Sequence, residues 1–494
     1  MTPRAGWLAV AVLAGSQFLA VMSTTVVSVA LPAIGAGLHA SAAGRLWIVD
    51  AYVIVYSALL VAGGTIGDRR GRKGMFLLGL VLFAAGSLAD SLAPSTGWLL
   101  AGRVLQGLGP VLLVPGSLTI IRALFADERR RAQAIGLWST GSGLGMAAGP
   151  VVGGLIAAHW GWRWVFGFNV PLALVLLLIA AWAIPRPESG GSPGGSSPPS
   201  QHSAPVAARL DWAGTVLGCA CVAAVAFALI EGNPLGWTSP PVLAGFALSA
   251  GALAAFVARE RRAPGMGAAP VVDISLFRRP AFAAANVAAL VVFFAFIGAI
   301  VFLSAYFQQV RGDTPVAAGL QVAVLGLAFA VTAPLSGRLT GQVGARWPMV
   351  AGLVATAAAM FGLLRLGPQF PDTGAGATWW DFALAGAGVG LCLTPMTQLA
   401  VSAAPASRAG MASSVHNALR QFGQVLGVAV LGAIVYAHGP QGFITGLHTA
   451  MWLSGTALLG AAVLILALLR PAATAPPGEP RADRPTVSTL RSAK

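Results

Sequence analysis

Apolar residues in this sequence are gathered into long runs, and polar residues are concentrated in the shorter stretches between them. A run of about 20 apolar residues is long enough to cross a bilayer as a helix. The sequence therefore predicts an all-α, polytopic membrane protein with fourteen transmembrane helices. The predicted spans are 6–34, 45–66, 75–93, 98–122, 132–158, 164–185, 211–231, 240–258, 281–303, 317–337, 347–366, 380–402, 410–436 and 446–470.

The composition supports a lipid environment. The chain is 56% hydrophobic and 9% charged, with a mean hydropathy of +0.78, which leaves too little polar surface for a soluble protein of 494 residues. Its net charge of +15 does not indicate a nucleic-acid partner, because the basic residues are dispersed and form no basic stripe. Cys219, Cys221 and Cys392 lie inside apolar runs, so we expect no metal site and no disulfide framework.

The positions of the basic residues predict the orientation of the chain. An even number of spans places both termini on one side, and most of the 30 Lys and Arg residues fall in the loops of that side. Only Arg45, Arg163, Arg311 and Arg365 fall in the opposite loops. The positive-inside rule therefore predicts cytoplasmic termini. The first run, which begins at Gly6, is too long for a signal peptide, and we interpret it as an uncleaved span. Arginine far outnumbers lysine, which is typical of a GC-rich bacterial genome, so we expect a bacterial cell (inner) membrane.

Glycines recur every four residues from Gly141 to Gly153 inside the fifth predicted helix. On a helix they form a stripe that allows a neighbouring backbone to approach closely, and Pro150 is expected to bend the helix there. Close helix packing alone is one interpretation. The stretch also resembles the antiporter signature of drug-exporting major facilitator transporters, which implies export, at Gly145, Gly149, Pro150, Gly153 and Gly154.

The stretch after the second predicted helix combines glycines with an aspartate among four cations. We expect it to be a cytoplasmic loop. It resembles the major facilitator signature between helices 2 and 3, and by analogy Asp68 closes a cytoplasmic gate near Ala409. The matching residues are Gly64, Asp68, Arg69, Gly71, Arg72 and Lys73.

An eroded copy of that stretch, at residues 337–346, follows the tenth predicted helix. Two copies at equivalent places indicate parallel repeats. The sequence then predicts a six-helix bundle over 1–185, a flexible cytoplasmic linker over 186–209, two inserted helices over 210–262, a second six-helix bundle over 263–470 and a disordered tail over 471–494.

Fourteen helices with such an insert resemble the drug:proton antiporter subfamily of the major facilitator superfamily, and further motifs match at 47–52, 102–109 and 160–171. The resemblance implies a secondary active transporter, not an enzyme, that exports hydrophobic drugs, antibiotics or metabolites in exchange for protons. It implies no cofactor besides the proton gradient, and we expect a monomer. One departure is Ser23 in helix 1, where the subfamily usually has an acid. An importer of a small organic solute on the same fold remains an alternative.

Acidic residues within spans are costly, which makes them candidates for proton transfer. Asp50 lies five residues inside the second predicted span, and Arg103 lies at a similar depth in the fourth. We expect the two to pair across adjacent helices, with Asp50 as the proton carrier and Arg103 as its modulator. A static structural ion pair is the alternative. Asp90, Asp211, Glu231 and Asp381 fall near helix ends, where interfacial roles are expected.

Two polar stripes are candidates for the substrate cavity. Their spacings of three, four and seven residues place much of each set on one helix face. Polar stripes also bond neighbouring helices, which is the alternative interpretation. The missing helix 1 acid favours neutral or weakly anionic apolar substrates. The candidates are Gln17, Ser23, Thr24 and Ser28 in helix 1 and Asn417, Arg420 and Gln421 in helix 13.

Overall fold

The computed structural model describes residues 3–125, 127–185, 211–262, 272–367, 378–405, 408–437 and 439–469. In this part of the chain, 14 helices are long and apolar enough to cross a membrane, as the apolar runs predict. Short 3-10 turns occur at Ile274–Arg278, Leu363–Arg365 and Pro440–Gly442. The helices are α1 (Pro3–Gly37), α2 (Ala42–Arg70), α3 (Arg72–Ser91), α4 (Thr96–Leu124), α5 (Glu128–His159), α6 (Arg163–Ala183), α7 (Trp212–Leu235), α8 (Pro240–Arg262), α9 (Pro280–Gln309), α10 (Pro315–Val343), α11 (Arg346–Gly362), α12 (Trp379–Ser402), α13 (Ala409–Val435) and α14 (Phe443–Leu468).

Several helices begin at a polar residue that caps the free backbone amides of the first turn. Ser41 accepts a hydrogen bond from the Gly44 amide at the start of α2, and Ser95 and Thr314 cap α4 and α10 in the same way. These caps define short connections between long helices. We call the membrane face formed by the connections after α1, α3, α5, α7, α9, α11 and α13 the far face, and the opposite face the terminal face.

The predicted loop over residues 64–73 is wrong. Helix α2 continues through residue 70 and α3 begins at residue 72, so that Gly71 alone connects them. Its φ of 98° is a left-handed conformation that glycine adopts without the strain of a side chain. The second copy has the same form, because α10 continues to Val343 and Gly344 has a φ of 79°. Polar residues at the end of α2 therefore extend the helix beyond the apolar span.

The helices form two six-helix bundles, as the repeated motif predicts. In the first bundle α1 packs on α5, α4 packs on α2 and α3, and α6 packs on α1 and α3. In the second bundle α12 packs on α10 and α11, α9 packs on α13, and α14 packs on α9 and α11. The inserted helices α7 and α8 pack side by side, and α7 contacts both α2 and α13. The predicted linker and tail lie outside the described residues.

The bundles meet along two seams, one between α2 and α13 and one between α5 and α10. In the second seam, a Cβ built on Gly154 would lie 2.4 Å from the Pro315 carbonyl oxygen, and one on Gly326 would lie 2.5 Å from the Ala147 Cα. In the first seam, a Cβ on Gly432 would lie 2.7 Å from a Leu46 methyl group. These contacts lie between the middle of the membrane and the far face, so the bundles are in close contact there.

Candidate functional site

Arg103 lies at the centre of a buried polar network in the first bundle. Its side chain is fully buried, and its Nε donates to the Ile48 carbonyl at 3.0 Å. Its Nη1 donates to Gln106 Oε1 at 2.5 Å, and the guanidinium carbon lies 4.5 Å from the centre of the Tyr52 ring. Gln106 in turn donates to Ser87 Oγ at 2.7 Å. The network fixes Arg103 among α2, α3 and α4.

The predicted ion pair between Asp50 and Arg103 is wrong for this conformation. Asp50 is fully buried, and neither of its carboxylate oxygens has a hydrogen-bond partner, while the guanidinium bonds to other groups. The prediction used the depth of the two residues along their helices. Depth does not determine the direction in which each side chain points from its helix axis. The role of Asp50 as proton carrier stays a prediction.

Asp90 lies at the end of α3, as predicted, but its side chain is fully buried in the protein. Its interfacial role stays a prediction. A Cβ built on Gly102 would lie 2.2 Å from Asp90 Oδ1, so the carboxyl group contacts α4 directly beside Arg103. Both carboxylate oxygens lack a hydrogen-bond partner. The contact of Asp90 with α4 could have been predicted from the antiparallel packing of α3 and α4, which the short connection between them indicates. A residue just before the short connection after α3 lies against the first turns of α4.

The candidate cavity residues of α1 bond mainly within their own bundle. Gln17 donates to Ser142 Oγ of α5 at 2.8 Å, and Ser23 Oγ accepts from Asn169 of α6 at 3.3 Å. Thr24 and Ser28 donate to carbonyl oxygens of α1 itself. These bonds support the helix-bonding interpretation for Gln17 and Ser23. They also show that the serine in place of the usual acid occupies the junction of α1, α4 and α6, since Arg103 reaches its carbonyl at 3.5 Å.

The polar residues of α13 form a continuous group near the seam with α2. Arg420 donates to Asn417 Oδ1 at 3.1 Å, and Gln424 donates to Gln421 Oε1 at 2.5 Å. The Arg420 guanidinium lies 4.5 Å from the centre of the Phe293 ring, and its Nε is buried without a hydrogen-bond partner. No acidic side chain pairs with Arg420 in the part of the chain that the structure describes. The group therefore contains one guanidinium, that of Arg420, without an acidic partner among the described residues.

The glycine stripe of α5 lies against α1. A Cβ on Gly149 would lie 2.0 Å from Thr25 Oγ1, and Cβ atoms on Gly145 and Gly153 would lie 2.6 Å and 2.7 Å from backbone oxygens of α1. Gly154 instead faces α10 of the other bundle, and a Cβ on Gly319 of α10 would lie 2.3 Å from the Pro150 carbonyl oxygen. Helix α5 continues through Pro150. The motif therefore serves packing within one bundle and contact between the two.

The described part of the predicted gate motif joins helices of the same bundle. Lys73 Nζ donates to the carbonyl oxygens of Ala181 and Ile184, at the end of α6. Arg346, at the equivalent place in the second repeat, donates to the Leu466 carbonyl near the end of α14. Each cation interacts favourably with the negative end of a helix dipole. The Arg72 side chain is exposed. The surroundings of Gly64 and the side chains of Asp68, Arg69 and Ala409 lie outside what the structure describes.

Comparison with known proteins gives relatives over most of the chain. The multidrug resistance protein Stp of Mycobacterium tuberculosis is 36% identical over 422 residues, which cover 85% of this chain and 74% of that protein. A methylenomycin A resistance protein of Streptomyces coelicolor is 33% identical over 429 residues, which cover 86% of this chain and 85% of that protein. Relatives of this kind are named for resistance to antibiotics and other drugs.

The fold is also that of solved transporters. A peptide-transporter-family protein in complex with 5-aminolevulinic acid matches with a TM-score of 0.67 at 16% identity, over 93% of this chain and 95% of that one. Residues 13–428 match the model of the Major Facilitator Superfamily. These matches confirm the resemblance that the motifs indicate, and the chain belongs to the major facilitator superfamily.

Proposed function

We propose that this protein exports small hydrophobic compounds, such as antibiotics or metabolites, in exchange for protons. The observation that carries the proposal is Asp50, a carboxyl group buried in a span with no hydrogen-bond partner on either oxygen. Because such a group is stable when neutral and unstable when charged, it is suited to taking up and releasing a proton as its access to water changes. The relatives support export, since one is a tetracenomycin C resistance and export protein of Streptomyces glaucescens, 33% identical over 439 residues.

Alternating access by the two bundles is the mechanism that we propose for this exchange. With the termini in the cytoplasm, as the positive-inside rule predicts, the far face is external. The close seam contacts near the far face then correspond to a conformation that is closed to the outside. Separation of α5 from α10 and of α2 from α13 opens the site to the external side, and the proton gradient supplies the energy.

Proton movement in everted membrane vesicles tests the proposal. Vesicles from cells with and without the protein are acidified inside by respiration, and neutral, cationic and anionic antibiotics are added in turn. Antiport predicts that a transported compound releases protons from the vesicles only when the protein is present. Uptake of a compound without proton release contradicts proton coupling, and export of solute from the vesicle lumen contradicts the proposed direction.

The positive charge of Arg420 indicates which class of compound the transporter prefers. A guanidinium that lacks an acidic partner and lies partly exposed near the bundle seam favours substrates with a carboxylate, enolate or other electron-rich group. We expect Arg420→Gln to reduce transport of anionic compounds at least tenfold relative to neutral ones, since hydrogen bonds to charged groups contribute about 1.5–3 kcal/mol. Initial uptake rates of matched acid and ester pairs in vesicles measure the ratio.

The exposed Arg338 on α10 provides a control for the loss of one positive charge. Arg338→Gln should leave the acid-to-ester ratio unchanged. An equal loss for acids and esters in Arg420→Gln would mean that Arg420 supports the structure and does not recognise substrate charge.

A further inference from the structure

The inserted helices α7 and α8 have no role in the exchange described so far. Helix α7 nevertheless contacts the two helices that carry Asp50 and Arg420, namely α2 and α13. Asn233, near its far-face end, donates to the Ala433 carbonyl of α13 at 2.6 Å. The insert is therefore attached directly to the seam between the bundles.

One carboxylate of the insert points at α2. Glu231 lies four residues before the end of α7, and its Oε1 accepts a hydrogen bond from the Trp47 indole at 2.8 Å. The Glu231 side chain is partly exposed, whereas Asp50 is fully buried. An acidic side chain inside a span is costly, which makes a functional role the first interpretation. Its position, about 6 Å below the end of the helix, leaves it within reach of water at the far face.

Trp47, the hydrogen-bond partner of Glu231, lies near Asp50 along α2. The two residues lie three positions apart on α2, which places them on adjacent parts of the helix surface about 4.5 Å apart along its axis. The indole that donates to Glu231 therefore belongs to a residue about one helical turn from Asp50, whose carboxylate oxygens have no hydrogen-bond partner. A partly exposed acid of the insert thus contacts the stretch of α2 that carries the buried acid.

The other charged groups around α7 leave Glu231 without a basic partner. Arg45 of α2 lies with its guanidinium 5.6 Å from the centre of the Tyr436 ring, at the end of α13. The basic residues of α8 from Arg259 to Arg262 lie at the terminal-face end of that helix. Asp211, at the same end of α7, pairs with Arg259. No ion pair holds Glu231 among the described residues, so the Trp47 indole is its hydrogen-bond partner.

We propose that Glu231 is the external proton-entry residue of this transporter, which passes protons from the far face to Asp50. The proposal rests on the proposed proton antiport. The Glu231 carboxylate takes a proton from external water, and the proton then moves to the Asp50 carboxylate. Asp50 becomes neutral, and Glu231 returns to its carboxylate form. The inserted pair thereby supplies one step of the coupling path.

Two conservative variants separate proton entry from simple anchoring of the insert. Glu231→Gln keeps an oxygen that can accept from the Trp47 indole, but it cannot carry a proton. Trp47→Phe removes the hydrogen bond and keeps the carboxylate. Each is compared with wild type in two assays, namely proton-coupled uptake into everted vesicles and substrate exchange at equilibrium, which needs alternation but no net proton movement. Asp211→Asn controls for the loss of an acid at the opposite end of α7, where Asp211 caps the helix.

Proton entry predicts that Glu231→Gln lowers coupled uptake at least tenfold and flattens its dependence on luminal pH, while exchange stays within twofold of wild type. Trp47→Phe and Asp211→Asn should keep the wild-type pH dependence. The proposal is overturned if Glu231→Gln matches wild type, or if Trp47→Phe and Glu231→Gln both lose exchange, which would identify an anchor. Wild-type protein that moves substrate without protons would instead refute the antiport on which this proposal rests.

Discussion

Replacement of Asp50 by Asn is expected to abolish proton-coupled efflux while leaving the protein folded. Asparagine has nearly the same shape as aspartate and adds no charge to a site that is fully buried. It cannot take up a proton, so the conformational cycle loses its coupling to the gradient. Loss of a proton-transfer group typically costs about 10²–10⁴-fold in rate. We therefore expect coupled uptake in everted vesicles to fall at least 100-fold, with normal yield of the purified protein.

Variants of two further aspartates test whether the loss of coupled efflux is specific to Asp50. Asp381 pairs with the Arg365 guanidinium near the far face, and Asp381→Asn should retain coupled efflux. Asp90 is the more demanding comparison, because it is as deeply buried as Asp50 and also lacks hydrogen-bond partners. If Asp50→Asn retains coupling and Asp90→Asn loses it, the proton carrier is Asp90 of α3 and not Asp50.

The spans could be predicted from the sequence because a bilayer selects for one property, length of apolar helix. The helix ends could not be predicted in the same way. The polar turn up to Arg70 stays helical, since a helix needs only satisfied backbone hydrogen bonds and a residue that stops it, here Gly71. Hydropathy records where the membrane ends and not where the helix ends.

The site was less predictable because depth along a helix is only one of the coordinates that decide a contact. Asp50 and Arg103 have similar depths, but their rotation about the helix axes directs the guanidinium to the Ile48 carbonyl and to Gln106. Asp90 reaches α4 through the register of an antiparallel helix pair, which requires the pairing of α3 with α4 to be known. The contact between Glu231 and Trp47 spans 184 positions in the sequence and depends on where the insert docks.

The close packing at the glycine stripe, by contrast, could be predicted from the sequence spacing alone. A four-residue spacing predicts a close helix pair, and the stripe lies against α1 at distances that leave no room for a side chain. The partner of Gly154 was not predictable, because that glycine faces the other bundle. The same motif therefore combines a close contact within one bundle with a close contact between the two bundles.

Gly154→Leu is expected to prevent closure of the bundles at the far face. Its Cβ would lie 2.4 Å from the Pro315 carbonyl oxygen, so α5 and α10 must separate to accommodate it. Overpacking of this kind costs about 1–3 kcal/mol, which shifts a two-state equilibrium by roughly 5- to 150-fold. We expect efflux to fall about fivefold or more. A cysteine introduced at position 417, with the three native cysteines replaced, should become more reactive to an impermeant maleimide added from outside.

Gly251→Leu in α8 is the matched control, because no heavy atom lies within 4 Å of a Cβ built there. It should leave both efflux and labelling at wild-type values. If Gly154→Leu keeps wild-type efflux, the seam between α5 and α10 does not have to close as tightly as in this conformation. Lost efflux with unchanged labelling would mean that the substitution damages packing within the bundle. Only the combination of lost efflux and greater external reactivity identifies the seam as the external gate, because closure is then the step that the larger side chain blocks.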